Sequence, residues 1–226
     1  SLRDYYLQDP GVTSAAADTA ALQYLIGNAV IVNLARRPAL LSRVTHLLQR
    51  TPPFNRMSRV SRFEAVDGAS LDLGDLVRSR TLSQEGMDSA LRAGVRVEAI
   101  QLTRGAIGCA LSHVRLWQQI AADHGRGATL VLEDDVYFAS EFEARLRDAV
   151  AHLPANFSMV YLNLPDYASR SDISASGGTT VRAVLGDNYG TSAYIVSPAG
   201  ARALLRGVRP LTQQIDWHII AVTERS

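Results

Sequence analysis

Glu133, Asp134 and Asp135 are three consecutive acids, set directly after Leu130-Val131-Leu132 and before Val136-Tyr137-Phe138. The Leu/Val run reads as a buried strand. Three neighbouring carboxylates cannot share that burial without partners or a loss of charge. The economical arrangement is a strand ending at a cleft, with the acids at its C-terminal tip around a divalent cation, because hard cations prefer carboxylate oxygens. Glu133 and Asp135 are the expected metal ligands. A second acidic point, Asp216, stands two residues before His218 in the apolar run Ile215–Ile220. In a strand the two would share one face, which makes His218 a further candidate ligand.

The elements that must position these groups follow from the apolar pattern. Ala29–Leu34 is a continuous apolar run of the kind buried in a parallel sheet. Arg36, Arg37 and Pro38 follow it, and then Leu40, Leu41, Val44, Leu47 and Leu48 at helical spacing. Asn33, Leu34 and the Arg pair therefore fall at the C-terminal edge of a first strand, where open α/β sheets take ligands. Phe63–Val66 reads as a short strand ending in the turn Asp67-Gly68. Gly105 opens a helix whose Ile107, Leu111, Val114, Trp117 and Ala121 form one apolar face. Its glycines permit close backbone approach and its N-terminus favours anions. Ser112 and His113 lie off that stripe, and Cys109 reads as core packing. Ser140–Glu143 is a capping box for a helix closed by Pro154. Met159–Leu162 and Ala193–Val196 are further strands, Ser197-Pro198 caps another helix, and the Ser/Gly-rich stretch 166–180 reads as a mobile loop.

The expected fold class is α/β, with a mixed, mainly parallel sheet flanked by helices. Residues 1–27 read as an N-terminal helical extension running from a cap at Thr13 or Ser14 to Gly27, and 28–226 as one domain. The 23 basic residues are all arginines. Lysine chemistry of the Schiff-base, P-loop or kinase kind is thereby excluded. A net charge of +1 gives no case for nucleic acid. One cysteine forbids an internal disulfide and fits a reducing compartment. No stretch approaches the ~18 apolar residues of a membrane span. The expected location is the cytoplasm, with peripheral contact at an inner membrane face compatible with it.

Five ordered motifs carry a resemblance. They are Val30-Ile31-Val32-Asn33-Leu34-x-Arg36-Arg37, Phe63-x-Ala65-Val66-Asp67-Gly68, Gly105-x-Ile107-Gly108-Cys109-x-Leu111-Ser112-His113, Leu132-Glu133-Asp134-Asp135-Val136 and Gly190-x-x-x-Tyr194-Ile195-Val196-Ser197; Ile215-Asp216 fits a closing acidic motif. Over residues 29–220 the chain resembles glycosyltransferase family 25, the lipooligosaccharide and procollagen galactosyltransferase-like group. The resemblance implies a GT-A type fold and a bacterial lipopolysaccharide-type role. It also implies a UDP-sugar donor carrying galactose or glucose, Mn²⁺ or Mg²⁺, inversion, and a glycan, lipid-linked glycan or protein acceptor. Asn33, Leu34, Arg36, Arg37, Asp67, Gly68, Ser112, His113 and Asp134 are then the donor-binding set, with Asp134 on ribose or sugar. Asp216 is the candidate base and Asp187 the second choice. Ala35 and Ala106 stand where the family usually carries acids, which leaves open a non-catalytic member that binds a nucleotide or a protein. A metal-dependent phosphohydrolase is a weaker third reading, since only one acidic cluster is visible.

Overall fold

The computed structural model describes residues 25–51, 54–56, 60–92, 102–123, 127–151, 153, 156–162, 170–176, 179–184 and 190–223. The expected N-terminal helix and Asp187 lie outside the described residues.

Five strands form the main sheet: β1 (Ile26–Asn33), β2 (Val60–Glu64), β3 (Ala128–Glu133), β4 (Met159–Tyr161) and, after a separate hairpin, β7 (Ala193–Val196). Their order is β2-β1-β3-β7-β4. β1 pairs in parallel with both β2 and β3, whereas β7 runs antiparallel to β3 and β4. The sheet is thus mixed and mainly parallel, as expected. From β1 the chain steps outward to β2, then returns to the opposite side of β1 to lay down β3. That reversal is a topological switch point, and the crevice beyond the strand ends there is the usual ligand site of such sheets.

Reversing direction with right-handed crossovers puts successive helices on opposite faces. The first helix, α1 (Pro38–Gln49), starts at Pro38 and packs with Ala29, Ile31, Leu130, Leu132 and Ile195 in one core. Next come two short helices, α2 (Leu73–Arg78) and α3 (Gln84–Arg92), and then α4 (Arg104–Ala122). α4 packs with Val30, Val32, Val131, Tyr194 and Val196 in the other core. Odd and even strand positions divide cleanly between the two cores, as the two-residue period of a strand requires. Later helices are α5 (Phe142–Ala151), α6 (Pro198–Leu204) and α7 (Ile215–Thr223). Ser197 caps α6 by accepting the Gly200 amide, the cap expected before Pro198.

Four expectations are corrected. β1 begins at Ile26 and takes Gly27 into a register shift between Ile26 and Asn28, so Gly27 does not close a helix. β2 runs over Val60–Glu64, earlier than Phe63–Val66. The Ala65 amide still donates to the Asn33 carbonyl at 3.0 Å, and the Val66 amide, which faces away from β1, donates to Ser112 Oγ at 2.8 Å. The stretch 166–180 is in part ordered: β5 (Arg170–Ser176) and β6 (Thr179–Val184) pair antiparallel. The signal overlooked was Gly177-Gly178, a two-residue hairpin pattern. Lastly, Ile215–Thr223 is a helix rather than a strand. Positions two apart on a helix diverge by about 200°, so Asp216 and His218 do not share a face.

Candidate functional site

The C-terminal ends of β2, β1 and β3 and the start of α4 enclose a cleft of about 420 Å³. Arg36 and Arg37 border it after β1, Asp67 and Gly68 after β2, Arg104, Cys109, Ser112 and His113 on α4, and Glu133–Asp135 after β3. Leu34 lines it too. The sequence-derived donor set is thereby gathered at one edge, apart from Asn33, which lies just beneath.

Strand geometry splits the three acids. Glu133 has the parity of Val131 and turns to the α4 face. There His113 Nε2 lies 3.2 Å from Oε1 and Thr191 Oγ1 donates to the same oxygen at 2.6 Å. Asp134 has the opposite parity and turns to the α1 side. It is buried, accepts Asn33 Nδ2 at 2.7 Å and pairs with Arg37 at 3.4 Å. Arg43 of α1 donates to the Asp134 carbonyl at 3.0 Å, with its guanidinium stacked 4.0 Å from the centre of the Tyr137 ring. Asp135 is exposed and follows the strand end. Among the described residues, only its own backbone amide bonds its carboxylate.

These surroundings set the charges. Burial, then the neighbouring Glu133 and Asp134, push the Asp135 carboxyl up. Burial also opposes ionisation of Glu133, but the hydrogen bonds from His113 and Thr191 outweigh it and hold the carboxyl below its ordinary value. Burial penalises charge on His113, yet Tyr194, Cys109 and Glu133 overcome that and keep the imidazole protonated well above the usual range. Among the described residues, Asp135 is thus the acid of the three whose carboxylate no side chain hydrogen-bonds.

His113 and Ser112, which lie off the apolar stripe, are both fully buried. α4 is wedged between the sheet, α6, α7 and the turn Gly68–Ser70, so almost all of its middle is covered. His113 Nδ1 meets the Tyr194 hydroxyl at 2.8 Å, and Trp117 Nε1 donates to that hydroxyl at 3.0 Å. Ser112 accepts from Val66 and donates to the Gly108 carbonyl at 2.7 Å. Both side chains thus hold the cleft wall in place.

Gly68 and Gly108 serve backbone packing. A Cβ on Gly108 would sit 2.6 Å from the Val66 carbonyl oxygen and 2.7 Å from the Gly68 amide, and one on Gly68 would collide with the Arg104 carbonyl. Asp67 caps its own turn by accepting the Ala69 amide at 3.1 Å and pairs with Arg36 at 2.8 Å.

The two residues at the far acidic motif are placed elsewhere. His218 Nε2 lies 2.7 Å from the Leu204 carbonyl, and the side chain does not line the cleft. Asp216 accepts the Trp217 amide at 2.9 Å and the Gly190 amide at 3.3 Å. It also lies outside the cleft lining, yet it anchors the residue before Thr191. Sequence reasoning missed Thr191, Tyr194, Arg43 and Arg104, and it read Cys109 as core packing, although Cys109 borders the cleft. Cys109 and His113 at i and i+4 was the signal available, because that spacing sets two side chains on one helix face.

An α/β domain with a switch-point cleft lined by arginines and carboxylates has the architecture of the Rossmann-like class. The sequence profile of glycosyltransferase family 25 (LPS biosynthesis protein) matches residues 28–219, and the chain belongs to that family. It is 30% identical over 188 residues to the inactive glycosyltransferase 25 family member 3 of Homo sapiens, spanning 82% of this chain and 29% of the relative. Against the probable inactive glycosyltransferase 25 family member 3 of Rattus norvegicus it is 30% identical over 178 residues, 77% of this chain and 29% of the relative. Against procollagen galactosyltransferase 2 of Homo sapiens it is 26% identical over 190 residues, 82% of this chain and 28% of the relative. The chain spans under a third of the length of these curated relatives. No helix among the described residues is long and apolar enough to cross a membrane.

Proposed function

We propose that this chain carries the donor site of a glycosyltransferase that moves a hexose, galactose or glucose, from a UDP-sugar to an acceptor hydroxyl with inversion and with Mn²⁺ or Mg²⁺. The observation that carries this reading is the switch-point cleft, lined by Arg36, Arg37 and Arg104 together with Asp135, whose carboxylate has no side-chain donor among the described residues. Asp135 fits a hard cation: its carboxylate is only partly covered, lacks a side-chain donor among the described residues, and sits beside the cleft in the negative field of Glu133 and Asp134. Asp135 would hold the ion, with Glu133 as the second carboxylate. When bound, the ion stabilises the charge that grows on the departing diphosphate.

The chain's own residues supply the rest. Arg36, Arg37 and Arg104 present guanidinium groups suited to phosphate oxygens. Asp67, already held as an acceptor by its turn, suits a ribose hydroxyl. Asn33 and Arg37 immobilise Asp134 and so fix where Asp135 emerges. A base must take the acceptor proton; Asp216 is proposed for it, because its Gly190 contact joins it to the shell around Glu133, and Asp187 is the second choice. The acceptor is a glycan, lipid-linked glycan or protein.

A second reading has support of its own. Glu133 and Asp134 are both satisfied by protein donors, and the 30%-identical relatives are named inactive. A chain that binds a nucleotide or a partner without turnover would retain the cleft. A thermal-shift screen of UDP-, GDP- and CMP-sugars with and without Mn²⁺, followed by assay of UDP release, separates the two, because a ligand selective for the native state raises its stability. Mn²⁺-dependent stabilisation by a UDP-sugar with release of UDP supports transfer. Stabilisation without release supports the second reading, and no stabilisation by any nucleotide sugar removes the first reading and the nucleotide-binding form of the second.

A further inference from the structure

Cys109, His113 and Glu133 offer one ligand atom each, and those atoms lie within 4.8 Å of one another. Cys109 and His113 are one turn apart on α4, while Glu133 ends β3. This trio differs chemically from Asp135: a thiolate and an imidazole favour Zn²⁺-like ions over Mg²⁺ or Mn²⁺. Bond lengths of about 2.0–2.3 Å to N, O and S imply ligand separations of about 3.3–3.6 Å in a tetrahedral site. The His113–Glu133 separation of 3.2 Å is already close to that. Rotation of the half-buried Cys109 side chain would bring in the third ligand.

The surroundings have the build of a metal site. Ligating histidines and carboxylates are normally oriented by an outer ring of hydrogen bonds. His113 Nδ1 meets the Tyr194 hydroxyl, which Trp117 also bonds. Thr191 Oγ1 holds Glu133 and lies 3.9 Å from Cys109 Sγ. All three ligands border the cleft, so a fourth coordination position would face its interior. Three protein ligands with one open position is the pattern of zinc sites that take water or a substrate atom.

We propose that Cys109, His113 and Glu133 form a site for a thiophilic divalent cation of the Zn²⁺ class, opening into the cleft and separate from the hard-cation position at Asp135. Binding replaces the thiol proton and the proton on His113 Nε2, and both leave to solvent. Because Glu133 is shared, a soft ion here withdraws a carboxylate from any hard ion beside it. The site stands on this geometry whether or not the chain transfers sugar.

Titration of the full chain with Co²⁺, followed by absorption spectroscopy, tests it. The expected result is one equivalent of Co²⁺ showing a thiolate-to-metal charge-transfer band, displaced by Zn²⁺ and not by Mg²⁺. Cys109→Ser should abolish the band, with near-ultraviolet circular dichroism verifying an intact fold. Thr191→Val, which keeps the shape and removes the hydrogen bond to Glu133, should weaken binding by about 10–100-fold. Asp135→Asn should leave the band in place. Absence of a band in the folded parent chain, or a band that survives Cys109→Ser, overturns the proposal.

Discussion

Asn33 and Asp134, 101 residues apart in the chain, share a buried hydrogen bond of 2.7 Å from Nδ2 to Oδ2. It ties the end of β1 to the end of β3 directly under the cleft. Losing a hydrogen bond to a charged group, with its partner left buried, costs about 1.5–3 kcal/mol. Asp134→Ala should lower unfolding stability by that amount in urea denaturation. A loss below about half a kcal/mol would mean that Asp134 is not the clamp described.

Asp135→Asn should behave in the opposite way. The substitution removes a charge that burial, Glu133 and Asp134 all disfavour, so the melting temperature should hold or rise. Mn²⁺-dependent stabilisation by a UDP-sugar should disappear with it. A variant that binds Mn²⁺ and donor as the parent does would move the hard-cation site elsewhere.

Gly108→Ala tests the fit of the cleft wall. The added methyl meets backbone atoms of Val66 and Gly68, which cannot swing aside as a flexible side chain would. Overpacking of this kind costs about 1–3 kcal/mol. Hydrogen exchange should show the Val66 amide, which donates to Ser112, losing protection before the strands do.

Asp67 gives a pH-dependent readout. The hydrogen bond from Arg36, and then that from the Ala69 amide, hold its carboxyl below the ordinary aspartate value. A lowered carboxyl contributes stability above its unfolded-state value of about 3.9 and loses it as pH falls through the lowered one. NMR titration of the Asp67 carboxyl carbon should therefore give a midpoint under that value, and Arg36→Ala should return it upward. A midpoint unmoved by the substitution would show that the ion pair does not persist in solution.

Tyr194→Phe removes the hydroxyl that links Trp117 to His113. Two buried donors or acceptors lose their partner, at about 1–3 kcal/mol each. The indole of Trp117 should report the change as altered fluorescence in a protein that remains folded.

Much of this was legible in the residues. The Ala29–Leu34 and Leu130–Leu132 runs identified the two central strands because parallel strands buried on both faces read as unbroken apolar segments. The acids after Leu132 marked the cleft edge for the same reason. What periodicity could not convey was which acid faces which layer, since that depends on helices contributed from far along the chain. The burial of His113 was hidden for a related cause: a helix enclosed on nearly all sides has no polar stripe, so a buried polar residue looks in sequence like an exposed one. Asp216 and His218 were placed in a strand because a short apolar run carries no length signal to separate strand from helix. The β5–β6 hairpin lay behind a Ser-rich composition that drew attention from the Gly177-Gly178 pair in the sequence.

Glu133 and Asp134 are covalent neighbours that live in different compartments of the molecule, one against His113 and the other against Asn33. Inserting a single residue within β3 would carry Glu133 into the place of Asp134 beside Asn33 and bring Leu132 to the place of Glu133 beside His113. At this point of the chain a one-residue length change acts as a rewiring of two carboxylates rather than a small extension of a strand.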